Sequence, residues 1–180
     1  MNSKLKVIIA TIAVVLVFFA TACTASAQTI NSAEALKEYL DKQPANSPDK
    51  PIKVTLSANA QMMKNIVAAI NSAGKYVGLN FSGNALTIMP NNAFYDESTE
   101  KGCALLTAIT IPKSDTYIGA RAFYNCASLT SVRFEGTDAY PAISLGGDGP
   151  IQGDLFDKYR AGGIGTYTRP NGSSETWTKQ

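Results

Sequence analysis

Residues 103–111 and 126–134 are two copies of one phrase, Cys-x-x-Leu-x-x-Ile/Val-x-Ile/Phe. An alanine-phenylalanine pair stands upstream of each copy, Ala93-Phe94 and Ala122-Phe123. The cysteines are 23 residues apart and the pairs 29 apart, so the first copy carries six extra residues around Glu97–Gly102. A repeat of this length constrains a chain more than any other feature. One short unit cannot bury its own apolar side, so successive units must stack and share a core.

Weaker copies precede the clear ones. Ile52-Lys-Val-Thr-Leu56 and Tyr76-Val-Gly-Leu-Asn-Phe81 show the same alternation, which predicts short strands with one buried side. Val54, Leu79, Ile109 and Val132 occupy the equivalent position, at spacings of 25, 30 and 23 residues. Between the first two strands, Met63, Ile66, Val67 and Ile70 fall at i, i+3, i+4 and i+7, the stripe of an amphipathic helix laid on a sheet. The later connections, Ile88 to Phe94 and Ile118 to Phe123, are shorter and are expected to be single helical turns that each bury a phenylalanine. Parallel strands joined this way coil right-handedly.

The segment Ile118-Gly-Ala-Arg-Ala-Phe-Tyr-Asn-Cys-Ala-Ser-Leu-Thr-Ser-Val-Arg-Phe134 resembles the repeat of BspA-like leucine-rich-repeat surface proteins of bacteria, and the resemblance extends in looser form over residues 52–137. It implies an α/β fold, a short right-handed leucine-rich-repeat solenoid. It also implies secretion, surface display and binding of a host matrix protein or another bacterial surface component. Long members of that family stack many copies. Two clear copies and two degenerate ones offer a smaller binding surface.

The N-terminus reads as an export signal. Lys4 and Lys6 precede an apolar run from Val7 to Ala22, and small residues follow. That run is shorter than the roughly 20 residues of a spanning helix. Two ends compete. Ala25-Ser-Ala27 would release a soluble secreted or periplasmic chain from Gln28, whereas Ala20-Thr-Ala-Cys23 resembles a lipobox, with Cys23 lipidated and holding an outer-membrane or surface lipoprotein on the membrane. Two of the 16 Lys+Arg lie in the signal, so the remaining 14 balance 14 Asp+Glu. A neutral chain lacks the basic stripe that nucleic acid requires. The sequence contains no histidine. That excludes Ser-His and Cys-His nucleophile pairs and imidazole-ligated zinc, and no cofactor, no metal and no enzymatic activity are expected.

The predicted organisation is a signal over 1–27, a capping helix and linker over 28–51, the solenoid over 52–137, and a loop, short helix and hairpin cap over 138–180. The ends of a solenoid need covering. Asn31 with Glu34 suggests a capping box for a helix over 32–41 bearing Leu36, Tyr39 and Leu40, and Gln43–Pro51 is a linker. At the other end Thr137–Gly153 reads as loop and Asp154–Arg160 as a short helix ending at Gly162 or Gly163. Thr166–Arg169 and Thr176–Lys179 flank the turn signal Pro170-Asn-Gly-Ser-Ser. Tyr167 and Trp177 are expected to pair across that hairpin and cap the last rung; left exposed, they would form a recognition patch. Gly146-Gly-Asp-Gly149 reads as a loop, and Gly162-Gly-Ile-Gly165, which follows a helix instead of a strand, is not a phosphate-cradling turn. Cys103 and Cys126 fall on neighbouring rungs about 4.8 Å apart and are expected to be packed free thiols, with a disulfide as the alternative.

The candidate site follows from the alternation. With Val132 and Phe134 inward, Ser131 and Arg133 point outward. Stacking lays out two columns: Lys53, Gly78, Ala108 and Ser131, then Thr55, Asn80, Thr110 and Arg133. This open sheet face, hydroxyl and amide with a cation at each end, suits a protein or glycan partner. The competing expectation is a structural envelope lipoprotein without a discrete ligand.

Overall fold

The computed structural model describes residues 29–81, 86–114, 116–137, 139–141 and 149–180. The signal reading at 1–27, lipidation of Cys23, and residues 146–148 of the first glycine cluster lie outside the described residues. In chain order the elements are β1 (Thr29–Ile30), α1 (Ala33–Asp41), β2 (Ile52–Leu56), α2 (Met63–Ala73), β3 (Val77–Asn80), β4 (Ile88–Met89), β5 (Tyr95–Asp96), β6 (Lys101–Gly102), β7 (Leu106–Ile111), β8 (Thr116–Ile118), β9 (Ser131–Phe134), β10 (Ala139–Pro141), α3 (Leu155–Gly162), β11 (Gly165–Thr168) and β12 (Thr178–Lys179).

The principal sheet has the order β1-β2-β3-β7-β9-β11-β12. Its first five strands are parallel, each reached from the last by a crossover. Val54 faces Leu79, Leu79 faces Ile109 and Ile109 faces Val132, so the four equivalent repeat positions form one continuous rung-to-rung column. All four are buried. The register slips once, between Val77 and Gly78. Leu106 and Ala108 oppose consecutive β3 residues, and Thr107 between them is buried with its hydroxyl donating to the Val77 carbonyl at 3.0 Å. That bond satisfies a polar group which would otherwise be orphaned inside the core.

Two backings cover the inner side of this sheet. Under β2 and β3 it is helical. In α1 the hydroxyl of Ser32, not Asn31, accepts the N-terminal amide of Ala35 at 3.1 Å. Leu36 and Leu40 are fully buried, and α2 buries Met63, Ile66, Ala69 and Ile70, with Val67 only half-buried at the edge of the stripe. Gly74 then ends α2 in the left-handed conformation, where a side chain would be strained.

Under β7 and β9 the backing differs from the expected helical turns. β4, β8 and β10 form a second parallel sheet of three short strands, and β10 lies within the stretch expected to be loop. Each connection then makes a tight turn through a positive-φ residue, Asn92 in one copy and Arg121 in the next. Backbone bonds run from coil to coil there, Asn92 N–H to the Ala120 carbonyl and Phe94 N–H to that of Ala122. Phe94 and Phe123 stack with centroids 5.3 Å apart, and Tyr95 meets Tyr124 edge-on at 5.4 Å. The physical reason is length: with so few residues per connection, one inward aromatic per coil replaces a helical stripe.

The C-terminal cap is built into the sheet. β11 runs antiparallel to β9, so the sheet is mixed rather than wholly parallel. Tyr167 faces Lys179 across to β12, not Trp177. Tyr167 and Trp177 are both buried, which answers the capping-versus-exposure question for these rings. Phe134 on the last parallel rung stacks on Tyr159 of α3 at 4.0 Å and meets Tyr167 edge-on at 5.8 Å. Buried Arg169 donates to the carbonyls of Leu129 and Ser174 and lies 4.8 Å over the Trp177 ring. The linker at 43–51 is fastened as well: the Asn46 amide exchanges two hydrogen bonds with the Tyr76 backbone, at 2.7 and 3.0 Å.

Candidate functional site

The parallel register assembles the two outward columns. Lys53 faces Gly78, Gly78 faces Ala108, and Ala108 faces Ser131; Thr55, Asn80, Thr110 and Arg133 follow in the same order two residues along. Their surroundings are uneven. Lys53 and Arg133 are exposed, Thr55, Asn80, Thr110 and Ser131 are half-buried, and Gly78 is buried. A Cβ at Gly78 would stand 3.4 Å from that of Ala108, so small residues hold the centre of the first column flat.

Repeat reasoning missed the strands that extend these columns. β1 sets Thr29 beside Thr55, while β11 sets Thr166 beside Arg133 and Thr168 beside Ser131. Arg133 is therefore an interior position of its column, not the end expected for it. The enlarged second column reads Thr29, Thr55, Asn80, Thr110, Arg133 and Thr166. The signal for β11 was present in Thr-x-Thr at 166–168, but an antiparallel partner has no repeat copy to align with. Arg133 Nε lies 3.7 Å from a Glu135 carboxylate oxygen, and an exposed pair of that kind contributes about 0–1 kcal/mol, little hindrance to a competing ligand.

The repeat cysteines belong to the core. Both are free thiols and buried. Burial pushes the Cys103 thiol up to about 11. Burial, and then the neighbouring Cys103, raise Cys126 as well. Thiols held in the neutral form are poor nucleophiles and poor metal ligands. Among the described residues no group of three or more His, Cys, Asp or Glu side chains could hold a metal ion, and no helix is long and apolar enough to cross a membrane.

Stacked parallel rungs, one inward branched or aromatic residue at each repeat position, and a buried Cys-x-x-Leu corner define a leucine-rich-repeat region of solenoid-like α/β architecture. Residues 87–140 match the family model described as "BspA type Leucine rich repeat region (6 copies)", and this stretch is a BspA-type leucine-rich-repeat region. The match begins beside β4 and ends within β10, so it spans the aromatic-backed coils and stops short of the helix-backed ones. No curated protein and no solved structure matches the chain. Leucine-rich repeats generally mediate protein–protein binding.

Proposed function

We propose that the chain is an exported binding module of the bacterial cell envelope that captures a protein or glycan partner on the outward face of its principal sheet. The observation that carries this reading is the uninterrupted column Thr29, Thr55, Asn80, Thr110, Arg133 and Thr166, six polar side chains held in register by consecutive strands. Such a face is preorganised: its side chains stand on hydrogen-bonded strands, so little conformational entropy is lost on binding. Lipidation of Cys23 would hold the module at a membrane and supply local density. Intact-mass measurement on the membrane fraction tests that part, since an unmodified chain starting at Gln28 would make it a soluble secreted protein.

The binding claim is tested with the pair Thr110→Lys and Arg133→Glu, which reverses the charge at 133, sets a lysine opposite it and gives up the exposed Arg133–Glu135 pair. Capture of matrix protein or of whole cells should fall at least tenfold with the melting temperature unchanged. Equal capture by the double variant would remove the sheet face as the site. No capture by the parent across a panel of matrix proteins would favour a structural envelope lipoprotein.

A further inference from the structure

The turn between β11 and β12 holds the one Asn-Gly dipeptide of the chain, Asn171-Gly172, and the fold uses both residues. Gly172 packs against the corner of the last repeat copy, where a Cβ would overlap the Ala127 carbonyl. Asn171 organises the turn itself. Its side-chain carbonyl oxygen accepts from the Ser173 amide at 3.1 Å, the Ser173 hydroxyl at 2.8 Å and the Ser174 amide at 3.0 Å. Arg169 ties the turn to the buried cap by donating to the Ser174 carbonyl at 2.9 Å.

An asparagine can cyclise onto the next peptide nitrogen, because attack of that nitrogen on Cγ closes a five-membered ring. The rate depends on a polarised side-chain carbonyl, an unencumbered nitrogen and a leaving group free to depart. Three donors converge on the Asn171 Oδ1, where negative charge develops when Cγ is attacked, and that is the arrangement of an oxyanion hole. Among the described residues the Gly172 amide makes no hydrogen bond, and glycine puts no Cβ beside it. The Asn171 NH2 likewise has no partner among the described residues, and Asn171 is exposed, so ammonia can leave into water.

One effect works the other way. A fixed turn restrains the Asn171 backbone torsion that must rotate for ring closure, a cost on the order of tenfold in rate. An oxyanion donor is worth about 10²–10³ in a closed enzyme site. Three of them, even weakened by water, outweigh the restraint of one torsion. Loosening the turn separates the two effects, since it slows a reaction that needs the donors and speeds one that the turn holds back.

We propose that Asn171 is a self-modification site, converted by its own turn into an acidic residue without an enzyme. The Gly172 nitrogen gives its proton to hydroxide and bonds to the Asn171 Cγ. The bond from Cγ to the side-chain nitrogen then breaks, and ammonia leaves with a proton taken from water. The resulting succinimide adds one water: entry at Cγ gives aspartate, and entry at the backbone carbonyl carbon gives isoaspartate. The balance is one water in and one ammonia out, with no oxidant or reductant. An aspartate keeps the three donors in charge-assisted form, so the turn retains its shape and gains the negative charge that residues 170–174 lack.

The experiment ages the full mature chain at physiological temperature and pH, native and denatured in urea. Mass spectrometry follows the tryptic peptide 161–179, in which Asn171 is the only side-chain amide, and isoaspartate methyltransferase counts the second product. The native chain should exchange ammonia for water at Asn171 at least threefold faster than the denatured one. Ser173→Ala, at an exposed position, removes the hydroxyl donor. It should slow the native reaction at least threefold, with the denatured rate and the melting temperature unchanged. A native rate at or below the denatured rate would overturn the proposal, as would conversion in Ser173→Ala as fast as in the parent or faster, since the turn would then be protecting Asn171. The outward sheet columns include none of these turn residues, so either result leaves the sheet-face reading to its own test.

Discussion

Residues 29–81 and residues 87–141 contribute to one sheet and bury its inner side by different means. The first region leans on α1 and α2, whose apolar stripes spread burial over many aliphatic contacts: Leu36, Leu40, Met63, Ile66 and Ile70 are all fully buried. The second leans on a stack of aromatics, one per coil, with Phe94 on Phe123. The difference teaches where a repeat keeps its identity. A helix tolerates many sequences as long as the stripe is apolar, so the helix-backed coils share a register with the others but little wording. A turn of a few residues admits only a small residue beside one phenylalanine, so it repeats nearly verbatim, and the family match falls there.

Breaking the aromatic backing should have the largest effect. Phe123→Ala should cost about 3–5 kcal/mol, as for a buried aromatic, approaching the whole stability of a domain this size. Chemical denaturation followed by far-ultraviolet circular dichroism measures it. Adding Phe94→Ala should cost less than the sum of the single changes by about 0.5–1.5 kcal/mol, the stacking contribution; strict additivity would mean the rings do not act together. In the helical region Ile66→Ala should cost about 2–5 kcal/mol. If both variants unfold in one transition, the two backings belong to one cooperative unit; separate transitions would divide the molecule at residues 81–87.

Intermediate effects come from the cap and the thiols. Arg169→Leu strands the Leu129 and Ser174 carbonyls and should cost about 1–3 kcal/mol, read as a lowered denaturation midpoint with unchanged slope. The pH dependence follows from the two buried thiols, and Cys103 sets its window. Its folded-state pKa is raised from 9.0 to about 11, so below pH 9 both folded and unfolded chains keep the proton and nothing changes. Between pH 9 and about 11 the unfolded chain ionises first and stability should fall, by about 1.4 kcal/mol per unit of pKa difference. Cys126, raised in the same direction, adds to that slope, so Cys103→Ala should reduce it and removing both thiols should flatten it. The smallest effect is expected on the sheet face, where Thr110→Lys with Arg133→Glu should stay within about 0.5 kcal/mol of the parent.

Period-two alternation and repeat spacing made the parallel ladder legible residue by residue, including the Val54, Leu79, Ile109 and Val132 column. The amphipathic stripe likewise announced α2. Three features were not legible, each for a different reason. β4, β8 and β10 hold only two or three residues apiece, too few for alternation to show. Thr29 and Thr166 join the outward column through strands that are not repeat copies. The hairpin of β5 and β6 announced itself only as six surplus residues, and an insertion does not say which way it folds.

The reversal of direction at β11 has a consequence for how such a molecule can change in length. A parallel ladder is indifferent to the number of its steps, since every coil offers the next the same edge. β11 ends that sameness: it runs against β9, and its other edge is taken by the antiparallel β12. The outermost strands, β1 and β12, are only two residues long and offer a stranger little to pair with. A coil added beyond β11 would lose the parallel register that the repeat units share. Duplicating a unit such as the 23 residues from Cys103 to Cys126 ahead of the cap keeps that register. Each such duplication would widen the outward face by one rung while leaving both closures in place.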